Sequence, residues 1–291
     1  MFRTVLLPSD LSEASDHIVS CLRGLKTLGT EETVLFHALG IKHLDAMRPL
    51  LAQSVEPKLL AQRRLIEEQG LAAEVVIATG LPVPEITQAA ADRSISLIVI
   101  GSHGHSLSRD VLLGGVATGV IHQATVPVLV IEIHIVEGND GNRCETICHD
   151  FRERLLFPTD FSDTAERAFG YVEKLVEQGA KNITLLHVQD ASQLDPHLKD
   201  RIPEFNEIDQ GRLERLKTRL EQAGATDVRI ELPYGSPIQE ILRTADRERP
   251  TLIVMGSQGR GFIPEVFLGS VSHNVVRHAE TPILLVPALR S

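Results

Sequence analysis

The sequence of 291 residues contains one long internal repeat, and this duplication constrains its fold more than any other feature. The segment RTVLLPSDLSEAS, which starts at Arg3, corresponds to RLLFPTDFSDTA, which starts at Arg154. Near the end of each copy, TVPVLVIE from Thr125 corresponds to ETPILLVP from Glu280. A period of about 150 residues is much longer than the repeats of solenoids and matches the size of an ordinary domain. The sequence therefore predicts two globular domains of similar fold.

A stretch between the two copies has no counterpart in the repeat. We therefore divide the chain into a first domain over 1–133, a linker over 134–152 and a second domain over 153–291. The linker contains four residues whose N or S atoms can bind metal, namely His134, Cys144, Cys148 and His149. Their spacing fits neither the c-type haem motif nor the usual zinc knuckles. A polar linker, a zinc site and a redox-sensitive cysteine pair all stay open, and no metal ligand is assigned.

Composition narrows the class of protein. The formal net charge is −10 and no cluster of Lys or Arg stands out, which argues against nucleic acid as a partner because a phosphate backbone binds to basic surfaces. No uninterrupted apolar stretch approaches about twenty residues, so no membrane span is expected. The chain starts with a predicted strand rather than a signal-peptide layout, and its three cysteines do not suggest a disulfide framework. Together these features predict a cytoplasmic protein.

Short apolar runs alternate with longer amphipathic segments in both copies. In the second copy this pattern predicts five strands, at 154–159, 182–188, 227–232, 251–256 and 282–287. It predicts four helices between them, at Ala165–Gln178, Ile208–Ala223, Pro237–Glu248 and Ser270–Ala279. The alternation indicates an α/β fold with a mostly parallel sheet and helices on both faces. Ligands of such sheets bind outside the carboxyl ends of the strands, where the strand order reverses.

A glycine pattern follows the fourth predicted strand of the second copy. Gly256 and Gly259 are separated by two residues, and after nine further residues Gly269 and Ser270 lie at the start of a predicted helix. Glycines in such a loop let the backbone approach a ligand closely, and the free amides at a helix start attract anions. Arg260 lies inside the loop, where its guanidinium can pair with a phosphate. The pattern therefore predicts a phosphate-binding loop.

The spacing Gly-x2-Gly-x9-Gly-Ser resembles the nucleotide motif of the universal stress protein family, and the paired copies resemble its tandem, two-domain form. The resemblance covers nearly the whole chain except the linker. It implies two tandem, doubly wound domains with five-stranded parallel sheets, of the Rossmann-like type that is also described as adenine nucleotide alpha hydrolase-like. The implied strand order is 3-2-1-4-5, which places the reversal between the first and fourth strands.

The resemblance also implies a ligand, namely an adenine nucleotide (ATP, ADP or AMP), with or without Mg²⁺. It implies that phosphate and ribose contact Gly256, Gly259, Gly269, Ser270 and Ser272. It implies that the adenosine end contacts Pro158, Asp160 and Val188. The carboxylate of Asp160 can accept hydrogen bonds from ribose or adenine, and Val188 can offer backbone groups to the base. The complete candidate site is Pro158, Thr159, Asp160, Val188, Gly256, Ser257, Gly259, Arg260, Gly269, Ser270, Val271 and Ser272.

The first copy carries a degenerate form of the same pattern. Gly115 stands where the family has Ser or Thr, and Ala117 replaces the hydroxyl of Ser272. Each hydrogen bond lost to a charged ligand costs roughly 1.5–3 kcal/mol, so this copy predicts a weaker site or none. The candidate residues of this weaker site are Pro8, Asp10, Gly101, Gly104, Gly114 and Gly115.

No catalytic motif accompanies the predicted nucleotide site. The sequence lacks the patterns Gly-x-Ser-x-Gly, His-Glu-x-x-His and Walker A. We therefore predict a stress-response regulatory module that binds nucleotide and whose occupancy changes the surface offered to partners. Two alternatives stay open: a slow ATPase or phosphotransferase that uses the same pocket, and an interaction protein that binds no nucleotide.

Two histidines occupy equivalent positions on the second strand of each copy. His37 and His187 can be site residues near the strand reversal, but the favoured interpretation is a hydrogen-bonded, partly buried side chain. The last strand of each copy is apolar and forms an edge that has to be paired or shielded: PVLVIE from Pro127 and PILLVP from Pro282. They predict an intrachain pseudo-dimer, with further assembly into a homodimer as an additional expectation.

Overall fold

The computed structural model describes residues 1–20, 22–40, 48–102, 113–138, 141–145, 150–194, 201–259 and 268–289. The chain folds into two compact units, Met1–His149 and Asp150–Leu289. No helix among the described residues is both long enough and apolar enough to span a bilayer.

The first unit alternates strands and helices as the sequence predicts. In chain order its elements are β1 (Thr4–Pro8), α1 (Glu13–Ser20), a 3₁₀ helix (Leu22–Leu28), β2 (Glu32–Leu39), α2 (Arg48–Glu68), β3 (Ala72–Thr79), α3 (Pro82–Asp92), β4 (Leu97–Gly101), α4 (Gly115–Gln123), β5 (Val128–Ile131), β6 (His134–Gly138) and β7 (Gly141–Glu145). Five parallel strands form its sheet in the order β3-β2-β1-β4-β5. An antiparallel pair, β6 and β7, lies within the segment that we interpreted as a linker.

The second unit repeats this architecture. In chain order its elements are β8 (Leu155–Pro158), α5 (Asp163–Glu177), β9 (Asn182–Leu186), β10 (Gln189–Asp190), α6 (Ala191–Leu194), α7 (Ile202–Ala223), β11 (Asp227–Glu231), β12 (Tyr234–Gly235), α8 (Pro237–Glu248), β13 (Leu252–Gly256), α9 (Ser270–His278) and β14 (Ile283–Val286). Its parallel sheet has the order β11-β9-β8-β13-β14, and β10 pairs with β12. Both units therefore confirm the predicted order 3-2-1-4-5.

Two element boundaries in the second unit differ from the sequence prediction. Helix α7 begins at Ile202, six residues before the predicted start, with a proline in its first turn, where the missing N–H costs nothing. Strand β9 ends at Leu186 because β8, its partner, ends at Pro158. The chain beyond Leu186 then pairs with the segment after β11 instead, as β10.

The strand reversal opens a crevice between β8 and β13. All four residues of β8 pair with β9, but only Leu155 and Leu156 also pair with β13. The two strands therefore leave each other before their carboxyl ends. All five residues of β13 are buried, so the crevice is anchored on strands in the middle of the core. This is the position at which doubly wound sheets bind ligands.

Close packing against the start of α5 explains why residue 256 is a glycine. Ser162 caps this helix by accepting the Ala165 amide at 3.2 Å. A Cβ at Gly256 would lie 2.9 Å from Thr164 Cγ2 and 3.2 Å from the Thr164 carbonyl carbon. Such short contacts with a helix backbone require the strand or the helix to shift. Gly256 therefore has a packing role in addition to any role in binding phosphate.

We expect Gly256→Ala to lower the free energy of unfolding by about 1–3 kcal/mol because it overpacks this contact. Urea denaturation followed by circular dichroism measures the change. The matched control is Gly170→Ala, within α5, where a Cβ would meet nothing within 4 Å. That change should be neutral or stabilising by about 0.5–1 kcal/mol. Equal stability of wild type and Gly256→Ala would contradict the packing role.

Candidate functional site

A cavity of about 730 Å³ occupies the crevice of the second unit. The ends of β8 and β13, the start of α9 and one face of α7 contribute to its wall. Ten of the twelve candidate residues of the second copy line it: Pro158, Thr159, Asp160, Val188, Gly256, Gly259, Gly269, Ser270, Val271 and Ser272. Ser257 is buried but does not line the cavity, and Arg260 lies outside the described residues. The structure thus brings together residues that are far apart in sequence.

Helix α9 begins at the cavity with free backbone amides. Gly269 is its N-cap residue and has no side chain to cap the helix. The Gly269 amide donates to Ser257 O at 2.7 Å, and His273 N donates to Gly269 O at 2.9 Å, so the first intrahelical bond reaches only His273. Among the described residues, the amides of Ser270, Val271 and Ser272 have no acceptor. Three free donors and the positive end of the helix dipole favour an anion here.

The glycine loop and the turn after β8 come into contact at Asp160. A Cβ at Gly259 would lie 2.5 Å from Asp160 Oδ2, so a larger residue would displace this carboxylate. Asp160 Oδ1 accepts the Ser162 amide at 3.1 Å, and Phe161 between them has a φ of +59°. The left-handed conformation of a non-glycine residue costs roughly 1–2 kcal/mol. Asp160, directly before this residue, lies on the cavity wall.

Three candidate hydroxyl residues have structural partners. Ser272 Oγ donates to Gly256 O at 2.8 Å, which ties the start of α9 to the end of β13. Thr159 Oγ1 accepts the Phe161 amide at 3.0 Å. Ser257 N donates to Val286 O at 2.8 Å. These bonds build the walls of the cavity, which is a different role from the ligand contact that the resemblance implies for Ser272.

Val188 presents an open stretch of backbone to the crevice. Its neighbours bond toward β11, since His187 N donates to Glu231 O at 3.0 Å and Gln189 N donates to Pro233 O at 2.9 Å. Backbone groups of an extended strand alternate in direction, so the N–H and C=O of Val188 face the side where β8 has ended. Neither group has a hydrogen-bond partner within the described parts of the chain. One donor and one acceptor therefore lie side by side at the cavity.

The two equivalent histidines make the same hydrogen bond. Nδ1 of His37 donates to Ser9 O and Nδ1 of His187 donates to Thr159 O, each at 2.7 Å. Both histidines thus fix the carbonyl that precedes the aspartate of the turn, which agrees with the favoured interpretation. His187 also lines the cavity.

Sequence reasoning missed the wall that α7 contributes. Its lining residues are Phe205, Ile208, Asp209 and Arg212. Their spacing of three, four and seven residues places them on one helix face, a signal that was present in the sequence. The predicted start at Ile208 left Phe205 out of the helix and hid the pattern. The Arg212 guanidinium lies over the Phe161 ring, 5.2 Å from its centroid.

The first unit repeats the local geometry around its own aspartate, Asp10. Asp10 accepts the amide and hydroxyl of Ser12 and the hydroxyl of Ser15. Leu11 has a φ of +62°, as Phe161 does in the second unit. Gly114 caps α4 and donates to Ser102 O at 2.8 Å. Pro8, Gly101 and Gly115 end or begin β1, β4 and α4, whereas Gly104 lies outside the described residues.

The cysteines of the predicted linker gain no assignment. Cys144 lies in β7, where the backbone alone is described. Cys148 and His149 fall outside the described residues. The three interpretations of this segment stay predictions.

Two doubly wound domains in one chain, with a glycine-lined crevice at the strand reversal, define a class of tandem α/β proteins. The sequence model of the universal stress protein family matches residues 1–132 and 152–287, which correspond to the two copies of the repeat. The chain belongs to the universal stress protein family, in its tandem form. This membership places it among general stress-response proteins.

Individual relatives agree with this assignment. Universal stress protein MJ0577 of Methanocaldococcus jannaschii is 32% identical over 153 residues, which cover 46% of this chain and 94% of that protein. Universal stress protein MT2052 of Mycobacterium tuberculosis is 26% identical over 255 residues, which cover 78% of this chain and 73% of that protein. The crystal structure of a universal stress protein from Archaeoglobus fulgidus aligns with a TM-score of 0.74 and 28% identity over 97% of both chains.

Proposed function

We propose that this protein is a regulatory module that binds one adenine nucleotide, ATP or a related adenylate, in the cavity of its second unit. The observation that carries the proposal is the start of α9, where the amides of Ser270, Val271 and Ser272 have no acceptor among the described residues and line the cavity. Such an arrangement of donors at a helix start binds phosphate without any cationic side chain.

The remaining walls fit the rest of an adenylate. Val188 offers an N–H and a C=O side by side, which match the ring nitrogen and the amino group on one edge of adenine. The Asp160 carboxylate lines the same cavity and can accept hydrogen bonds from ribose hydroxyls. The cavity volume of about 730 Å³ lies in the ordinary range for cofactor sites. Mg²⁺ would enter with the triphosphate.

The proposal assigns the nucleotide to the second unit alone. In the first unit Asp10 is engaged by two serine hydroxyls, and Ala165 of the second unit offers no hydroxyl at the position of Ser15. Gly115 also lacks the hydroxyl of Ser270. We therefore propose one site per chain. A cytoplasmic location and pairing of the last strands, within the chain or in a homodimer, belong to the same proposal.

Isothermal titration calorimetry with ATP in the presence of Mg²⁺ tests the function. We expect saturable binding with a stoichiometry of one ATP per chain and a matching rise of the melting temperature, since a ligand that binds the folded state stabilises it. Two sites of equal affinity would contradict the assignment to one unit. An absence of heat and of stabilisation at millimolar ATP would overturn the proposed function.

A further inference from the structure

A buried carboxylate lies on the cavity wall that α7 provides. Asp209 lines the cavity and is only 9% exposed. Its neighbours on the same helix face, Phe205 and Ile208, are apolar. Burial of a carboxylate is unfavourable unless hydrogen bonds compensate it, so its partners matter.

The partners of Asp209 are distant for a charged group. Arg212 Nη1 lies 3.3 Å from Oδ1, and both His187 Nε2 and Gln189 Nε2 lie 3.5 Å from Oδ2. Charge-assisted hydrogen bonds are usually about 2.7–2.9 Å long. An ionised carboxylate offers about four acceptor positions, so Asp209 keeps capacity for a donor that a ligand supplies.

The position of Asp209 connects it with the backbone of Val188. The two side chains that approach its Oδ2 belong to His187 and Gln189, the residues on either side of Val188. All four residues line the same cavity. A base whose edge bonds to Val188 therefore lies beside this carboxylate.

The chemistry of a carboxylate selects one kind of purine. Ionised Asp209 only accepts hydrogen bonds, and so does the C=O of Val188. The 6-amino group of adenine donates two hydrogens, whereas the 6-oxo group of hypoxanthine or guanine would place a third acceptor beside these two. We infer that Asp209 makes the site selective for 6-amino over 6-oxo purine nucleotides. This inference rests on the proposed function, because it requires a nucleotide in the cavity.

The first unit provides a comparison within the chain. Its helix α2 is followed by Gly70, as α7 is followed by Gly224, and both glycines have positive φ. Val55 precedes Gly70 by the same number of residues as Asp209 precedes Gly224. The first unit therefore has a valine in place of the acceptor, and this valine shows that the fold accepts an apolar residue there.

The test compares ATP with inosine triphosphate, which differs at the 6-position, by calorimetry on the full chain. We expect the wild type to prefer ATP by 100-fold or more, because a polar site rejects a ligand that leaves its groups unpaired. In Asp209→Asn the side-chain amide can donate to a 6-oxo group. The affinity for ATP should therefore fall, and the affinity for inosine triphosphate should rise. The preference for ATP should decrease about tenfold or more. Asp209→Val should also reduce the preference for ATP over inosine triphosphate, mainly because ATP binds more weakly.

The matched control is Asp227→Asn on β11, which removes an exposed ion pair with Arg229 and should leave the preference unchanged. Binding of ATP with an unchanged preference in both Asp209 variants would overturn this inference and leave the proposed function intact. Tighter binding of inosine triphosphate than of ATP by the wild type would overturn it too, and would indicate that Arg212 donates to the base. If the wild type binds neither nucleotide, the proposed function itself fails.

Discussion

Ser270→Asp should abolish tight ATP binding while the protein stays folded. Ser270 is the first residue of α9, and its amide lies on the cavity wall. A carboxylate at this position would interact favourably with the helix dipole and would stabilise the folded protein by roughly 0.3–1 kcal/mol. The same charge, about 4 Å from a phosphate, repels it by roughly 4 kcal/mol near a protein surface. We therefore expect an affinity at least 100-fold lower, measured by calorimetry, with an unchanged or higher melting temperature.

Two controls separate this repulsion from other effects. Ser270→Ala removes only a hydroxyl and should cost tenfold in affinity or less. Gly115→Asp introduces the same charge at the first residue of α4 in the first unit, where a Cβ would meet nothing within 4 Å. ATP affinity should not change in this variant. If Gly115→Asp weakened binding as strongly as Ser270→Asp, the nucleotide would belong to the first unit or to both.

Asp160→Ala should lower ATP affinity by about 10- to 100-fold, because one or two hydrogen bonds between a ligand and a charged group are worth roughly 1.5–3 kcal/mol. Loss of the hydrogen bond from the Ser162 amide should by itself have only a small effect on stability. Asp160 accepts the Ser162 amide at 3.1 Å, a bond of a type that contributes roughly 1 kcal/mol. Calorimetry with ATP and urea denaturation of the same samples measure the two quantities.

Asp10→Ala is the matched variant in the first unit, and it should behave in the opposite way. Asp10 accepts three hydrogen bonds, from the amide and hydroxyl of Ser12 and from the hydroxyl of Ser15. Its loss should reduce stability and leave ATP affinity unchanged. A loss of affinity in Asp10→Ala, or normal affinity in Asp160→Ala, would contradict the division of roles between the two aspartates.

The sequence predicted those parts of the fold that a short local pattern of residues encodes. The apolar run of β13 and the glycine pattern after it fall where they were predicted, because buried strands and glycine turns are encoded over a few residues. The strand order was implied by the resemblance to the universal stress protein family. Both units have the predicted order 3-2-1-4-5.

The features that sequence did not predict depend on tertiary contacts. The packing role of Gly256 arises from the start of α5, some ninety residues earlier in the chain. The wall formed by Phe205 and Asp209 depends on where α7 begins and on which face it turns to the sheet. The partner of the Ser272 hydroxyl, Gly256 O, is likewise visible only once β13 and α9 are placed. The local sequence pattern therefore predicts where the glycine loop lies, but it does not predict which groups surround the loop.

A crystal structure of the full chain with a non-hydrolysable ATP analogue tests the account most directly. We predict phosphate oxygens within hydrogen-bond distance of the Ser270 and Val271 amides, and the amino edge of adenine on the backbone of Val188. A nucleotide bound to the first unit or elsewhere on the surface, with the cavity of the second unit empty of it, would contradict the account.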